Sequence, residues 1–382
     1  MAKIKLTGHA SGTGILTVTA PNTSTDRTIT LPDATDTLIG AATTDALTTR
    51  INATGGRKNI IINGGMQVAQ RGTSSAASGF QTVDRFTVSN SGNDELPTQA
   101  QHALTSSDTG PWAKGFRTSY HQTNGNQTSG AGAADRVTFQ HVIESQDIAN
   151  SGWDYTSSSS YITLSFWCKS SVAQNFYGRL QSADGTGQAL AFETGSLTAD
   201  TWTKITKTVP GNSNLQFDND NGIGMTIEFV LFRGTDKTGS MSLDTWAAFV
   251  SGTRVPDMTS TWYTTNDATF EITGVQLELG SVATDFEHRS YGEELALCQR
   301  YYQANSSSDR VYAYQYRGDY RGISFTYPVT MRATPTTTYT ENESFSPTLN
   351  NITKSSLWLF TAESSTSTVT YFLTTLTVDA EL

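Results

Sequence analysis

The sequence predicts an all-β protein built round a central sandwich or jelly roll, with a distal β module, a short N-terminal shaft segment and one connector helix. Three observations point there. Alternating or β-rich runs, punctuated by Gly, Asn, Asp and Ser, recur along most of the 382 residues. Charged residues make up only 16% of the chain, against about 25% in average soluble domains, so hydroxyl and amide side chains supply most of the polar surface. A helical apolar period is strongest in a single place, Gly292–Gln303.

In chain order, residues 1–57 form an N-terminal shaft or attachment segment, of which residues 1–40 read as short extended pieces. Leu16 and Val18 share one face, Ile29 and Leu31 another, with Pro21, Asn22, Thr23 and Ser24 as turn material between them. So few apolar residues cannot form a private core, and this piece is expected to pack on copies of itself or on another protein. Asp45 can cap a short helix carrying Leu47 and Ile51, and Gly55 with Gly56 then sets a boundary at about residue 57.

Residues 58–290 read as one large β unit, with strand runs at 80–88, 161–168, 176–180, 202–209, 225–232 and 268–277. No repeated blade signature is present, so the spacing favours a sandwich or jelly roll over a propeller. Trp167 and Trp202 lie inside such runs and are expected in the core. Residues 291–305 form the connector, with Leu295, Cys298 and Tyr302 on one face and Glu293 and Glu294 in the first turn, where carboxylates favour the helix dipole. Residues 306–382 form the second β unit, with runs at 311–317, 322–327, 336–340, 356–361 and 368–378.

The balance of 25 basic against 35 acidic residues, net −10, repels phosphate backbones and anionic lipid, so no nucleic-acid partner is expected. No run of 18 or more apolar residues exists and residues 1–14 lack a secretory core, so neither membrane insertion nor export is expected. The two cysteines, Cys168 and Cys298, stand in no metal-ligand spacing and are expected as buried thiols. Stability then falls to core burial and subunit association.

Several stretches carry a resemblance. Ile272-Thr-Gly-Val-Gln-Leu-Glu-Leu-Gly280, Ala283-Thr-Asp-Phe-Glu287 and Tyr291-Gly-Glu-Glu-Leu-Ala-Leu-Cys-Gln-Arg-Tyr-Tyr302 resemble the junction found in many tail-fibre proteins of tailed bacteriophages, and Tyr327–Pro335 resembles the segment that follows it. Asn63-Gly-Gly-Met-Gln-Val-Ala-Gln-Arg-Gly72 with Asp84-Arg-Phe86 is similar to the opening of the carbohydrate-binding-module-like jelly roll of those fibres, although Ala69 stands where the family usually has a Trp. Residues 14–22 and 28–34 are similar to fibre shaft segments.

The resemblance implies a homotrimeric virion adhesin that binds host surface polysaccharide, attached through its N-terminal segment to other tail or baseplate proteins and assembled in the host cytoplasm. It also allows a structural Ca²⁺, with no ligands assigned. An apolar junction around Leu295, Leu297 and the Tyr301-Tyr302 pair is more than one chain is expected to cover, which agrees with the trimer. A polysaccharide depolymerase spike and a purely structural fibre or baseplate connector are the alternatives.

The residues favour binding over catalysis. No Gly-x-Ser-x-Gly elbow occurs, and the five histidines fall in no motif. Asp218-Asn-Asp-Asn-Gly222 reads as a hairpin turn and lacks an EF-hand's acidic completion. Depolymerase spikes are commonly long β-helices, and no coil period is present. Glycan binding needs flat aromatic faces with polar groups beside them. In turn-like surroundings these are Trp112, Trp153 with Tyr155, and Trp262 with Tyr263. In the last unit Tyr312, Tyr314 and Tyr316 share one strand face, with Arg310 and Arg317 nearby and Tyr320 in the following turn, as a candidate receptor patch.

Overall fold

The computed structural model describes residues 58–304, 311–315, 322–341, 348–360 and 368–382. The expectations for residues 1–57 lie outside this set. The chain divides into Met1–Thr48 and Thr49–Leu382, and all the described residues belong to the second unit.

The first large body is an antiparallel sandwich. Its strands, in chain order, are β1 (Ser74–Ser75), β2 (Phe86–Ser91), β3 (Thr98–Ala103), β4 (Thr118–Thr123), β5 (Arg136–Glu144), β6 (Tyr161–Ser170), β7 (Asn175–Ser182), β8 (Gln188–Ser196), β9 (Thr203–Pro210), β10 (Ile223–Arg233), β11 (Ala247–Ala248) and β12 (Thr269–Leu279). They form two six-stranded sheets, ordered β1-β3-β4-β12-β6-β9 and β11-β8-β7-β10-β5-β2. Most connections cross from one sheet to the other, as in a jelly roll. Two short helices, α1 (Ser145–Ala149) and α2 (Thr261–Thr264), sit in the connections.

Side-chain alternation builds the core. On β6 the even residues Ile162, Leu164, Phe166 and Cys168 are buried inward, and on β10 Met225, Ile227, Phe229 and Leu231 are. Phe139 stacks on Phe229 at 4.9 Å between ring centroids, and Phe166 meets the same ring edge-on at 5.2 Å. Burying each such ring stabilises the fold by about 1.5–3 kcal/mol. Cys168 and Cys298 are both free and buried.

The connector is shorter than its sequence period suggests. Helix α3 covers Tyr291–Gln299, opened by a capping box between Ser290 and Glu293. Tyr302 leaves the helix because its backbone enters β13 (Tyr302–Ala304), whose partner residues are Thr377–Asp379. A long-range ladder thus overrides the local helical period.

The distal strands follow as β14 (Val311–Gln315), β15 (Gly322–Thr326), β16 (Thr336–Glu341), β17 (Thr348–Asn350), β18 (Ser356–Phe360) and β19 (Thr368–Asp379). β13, β14 and β16 all pair with β19, while β18 lies between β15 and β17. Tyr327, Met331, Leu357, Leu376 and Val378 form a small core of their own.

The junction buries Tyr301 and Tyr302 within one chain, so copies are not needed to cover that pair, while Leu295 and Leu297 stay only partly buried. Cys298 and Tyr301 pack against Ile62 and Val68, with Leu295 and Leu297 partly buried beside them. The recognisable motif residues do this joining. Gln70 donates its backbone N–H to Asp84 Oδ1 at 3.0 Å and its amide to Tyr302 O at 2.9 Å. Arg71 lies 3.5 Å over the Tyr302 ring and pairs with Asp379 at 2.9 Å. Arg85 is buried under Glu381, its guanidinium 3.4 Å over Tyr301 and donating to Val142 O at 2.6 Å. Among the described residues no helix is long and apolar enough to cross a membrane.

Candidate functional site

The site lies on the outer face of the first sheet, where the odd residues of β6 point. Register sets the rows. Lys169 stands opposite Glu271 on β12, and Glu271 stands opposite His121 on β4. One step along, Lys204 on β9, Trp167 on β6 and Thr273 on β12 form a second row. Below them come Thr206, Ser165 and Gln276.

Two segments wall this face into a groove of about 300 Å³, with Trp167, Ser165, Lys204 and Gly274 among its lining residues. One wall is the loop carrying the 3₁₀ turn Trp112–Lys114 and Phe116. The other is the return after β12, tied down by Thr284 N–H to Glu278 at 2.9 Å and Glu287 N–H to Gln276 Oε1 at 2.8 Å. Phe116 and Phe286 meet edge-on at 4.8 Å, and His288 Nε2 lies 2.8 Å from Lys114 O, so the walls brace each other. Gly274 has φ +64°, and a Cβ there would come within 2.5 Å of the Phe116 ring, so this bulge admits no side chain.

Beside the groove stands a charged cluster. Asp108 accepts from the Trp202 indole N–H at 3.0 Å and from Lys169 Nζ at 3.1 Å. Lys169 also reaches Glu271 Oε1 at 2.9 Å and lies 5.0 Å over the Trp202 ring. Burial pushes the Asp108 carboxyl up, but Trp202, the Thr105 N–H and Lys169 outweigh it and hold it down at about 2. Burial likewise opposes ionisation of Glu271, yet contacts with His121, Lys169, Ser119 and His102 hold it well below the usual carboxylate range. Asp108, Glu271 and Lys169 are therefore charged at neutral pH.

The aromatic residues singled out from the sequence distribute unevenly. Trp112 is half-buried on the loop that forms one wall but does not line the groove, and the Arg117 guanidinium lies 3.8 Å over its ring. Trp153, Trp262 and Tyr263 are buried, so they cannot serve as ligand platforms. Trp262 donates its indole N–H to Thr269 O at 3.1 Å, and Tyr263 stacks on Phe232 at 4.2 Å; their turn-like segment folds inward to seal the sandwich edge. Tyr155 is half-buried and packs edge-on against Phe217 at 5.0 Å. Tyr312 and Tyr314 fall on β14, but their side chains, and Tyr316 and Tyr320 entirely, lie outside the described residues.

Trp167 and Trp202, expected in the core, are instead half-buried on the outer face. The signal was present in the period of two: Phe166 and Cys168 point inward, which sends Trp167 outward with Lys169. Asp218–Gly222 is also no hairpin turn, because it joins β9 to β10 across the two sheets. Its polar atoms shape the crossing: Asp218 N–H donates to Asp184 at 2.9 Å, Gly222 N–H to Asp220 at 2.8 Å, and Asn221 Nδ2 to Arg332 O at 2.6 Å.

The sequence matches no protein-family model and no curated protein. Among solved structures, the chain is similar to the enzymatically active domain of tailspike protein 4 of bacteriophage CBA120, at 14% identity and TM-score 0.30 over 58% of this chain and 21% of that one. It therefore spans about a fifth of the tailspike chain. It is similar to the N-terminal cellulose-binding domain of Cellulomonas fimi β-1,4-glucanase C, at 10% identity and TM-score 0.27 over 56% of this chain and 99% of that one. A third likeness is to a family 11 carbohydrate-binding module from Clostridium thermocellum, at 10% identity and TM-score 0.25 over 56% and 98%.

Proposed function

We propose that the chain is a tail-fibre adhesin of a tailed bacteriophage and that the groove on its first sheet holds a glycan of the bacterial surface. The observation that carries this reading is Trp167 on the groove floor with Lys204, Ser165, Asp285 and His288 around it. An indole face takes the C–H side of a sugar ring, and the polar groups take its hydroxyls. Asp285 is the one carboxylate among the groove's lining residues, whereas glycoside hydrolysis commonly uses a flanking pair. Binding is therefore favoured over cleavage.

In this reading residues 1–57 attach the chain to other tail or baseplate proteins, residues 58–290 bind, and residues 291–305 lead to the distal module 306–382. Three copies form the fibre. Several weak contacts then act together, since linked sites raise effective affinity without new contacts.

A glycan array probed with the full chain, followed by labelling of the host cells it selects, tests the reading. The wild type should label those cells and compete with phage adsorption, and Trp167→Ala should weaken labelling at least about tenfold, in line with the loss of a stacked aromatic anchor. Labelling that survives Trp167→Ala unchanged in a folded protein moves the site off this groove. No retention on any host envelope fraction sinks the adhesin itself.

A further inference from the structure

Next to the groove, three side chains from three adjacent strands converge. His102 on β3, His121 on β4 and Glu271 on β12 place their ligand atoms within 4.8 Å of one another. His102 Nδ1 lies 3.1 Å from Glu271 Oε2, and His121 Nδ1 lies 3.6 Å from Oε1. We propose that these three residues form a binding site for a borderline divalent transition cation of the Zn²⁺ class.

The chemistry of the donors selects that class. Two imidazole nitrogens and one carboxylate oxygen suit zinc, nickel or copper, whereas Ca²⁺ and Mg²⁺ take oxygen ligands. With zinc bonds of 2.0–2.2 Å, neighbouring donors of a tetrahedral site stand about 3.3–3.6 Å apart; the observed 3.1 and 3.6 Å run from the two imidazoles to different oxygens of Glu271, so a small turn of the carboxylate brings one oxygen within reach of both rings. The remaining gap, between the two histidines, closes by rotation of His102, whose side chain is 51% exposed. That same exposure gives the ion an entry path and leaves outward positions for water or a ligand hydroxyl.

Supporting contacts hold the ligands in place. Ser119 Oγ donates to Glu271 Oε2 at 2.7 Å, and His121 Nε2 lies 3.0 Å from Thr123 Oγ1, which fixes the ring so that Nδ1 faces the carboxylate. His121 Nδ1 is buried and makes no hydrogen bond. That nitrogen stands 3.6 Å from Glu271 Oε1 and so remains available as a ligand.

Lys169 competes with such a cation for Glu271. Its ammonium contacts Glu271 Oε1 at 2.9 Å but also Asp108 at 3.1 Å. When a metal takes Glu271, Lys169 retains Asp108 and the Trp202 ring as partners. Loading the site therefore leaves the Lys169 ammonium paired.

Calorimetric titration of the chelator-stripped full chain with zinc, with calcium and magnesium as controls, decides the matter. One zinc per chain is expected, with both hard cations silent. His102→Ala and His121→Ala should each weaken zinc binding at least about tenfold, as loss of a ligand or its support does. Lys169→Met should tighten it, because a competing charge is gone; a purely structural Lys169 would not do so. Should His121→Ala fail to fold, the half-exposed His102 still supplies the test. Absence of zinc binding in the folded wild type, or undiminished binding in His102→Ala, overturns the assignment. The site does not depend on what the groove binds, and the Trp167→Ala variant should keep its zinc.

Discussion

Glu381 is one residue from the chain's end, yet it anchors the distal module to the sandwich. Its carboxylate pairs with Arg85, whose side chain is 1% exposed, and lies 3.4 Å from Arg71. Glu381→Gln keeps the shape and removes the charge, leaving the buried Arg85 with neutral contacts in place of its carboxylate: Val142 O, the Tyr301 ring and the new amide oxygen. Breaking one side of a buried pair costs about 3–5 kcal/mol, because the surviving charge stays desolvated. With an unfolding entropy of about 2.1 cal/mol/K per residue over the roughly 325 residues from 58 onward, that is a loss of about 4–7 °C in Tm. Differential scanning calorimetry at neutral pH measures it. The double replacement Arg85→Met with Glu381→Leu should recover most of the loss, since apolar substitutes for both partners are often neutral. A Glu381→Gln protein melting within about 1 °C of wild type would refute the claim that this pair locks the two bodies together.

Other expectations follow from the same geometry. Because the folded Asp108 carboxyl is held at about 2, below its unfolded value of 3.8, its contribution is fully present above the unfolded value and is lost as pH falls toward 2. The stability gap between wild type and Asp108→Asn, followed by urea titrations, should stay constant from neutral pH to about 5 and shrink below that; a gap that widens on acidification contradicts the assignment. Burial pushes the Cys168 thiol up to about 12 and the Cys298 thiol well above its ordinary value. Native protein should therefore show no fast-reacting thiol toward an aromatic disulfide reagent, and two after denaturation. Gly274→Ala must push Phe116 aside at a positive φ, and should cost about 1–3 kcal/mol while also weakening the proposed glycan binding through the displaced groove wall; an unchanged Tm would show that the bulge relaxes freely.

Much of the fold could be read before any coordinates. The strongly alternating runs became β6, β7, β9, β10 and β12, because period-two burial is a local property that each strand carries in its own residues. Strands β3, β4 and β5 were harder, since Gln99, Ser119 and Gln122 are polar yet buried, and an apolar period cannot reveal positions filled by hydrogen-bonded amides. The pattern of Phe80–Val88 predicts one strand, but only its end enters β2, because Arg85 turns the chain at φ +71°.

By itself the sequence determined the β class, the places of most distal strands, a helix with Glu293 and Glu294 in its first turn and the fate of both cysteines. Only the tertiary structure decided which tryptophans face outward, that His102, His121 and Glu271 meet, and that Gln70, Arg71 and Arg85 reach residues more than 200 positions away. The physical reason is that local periodicity separates the two faces of a strand without saying which face the opposing sheet will cover. Contacts across strands distant in sequence depend on sheet order and register, and these are set by the packing of the whole sandwich.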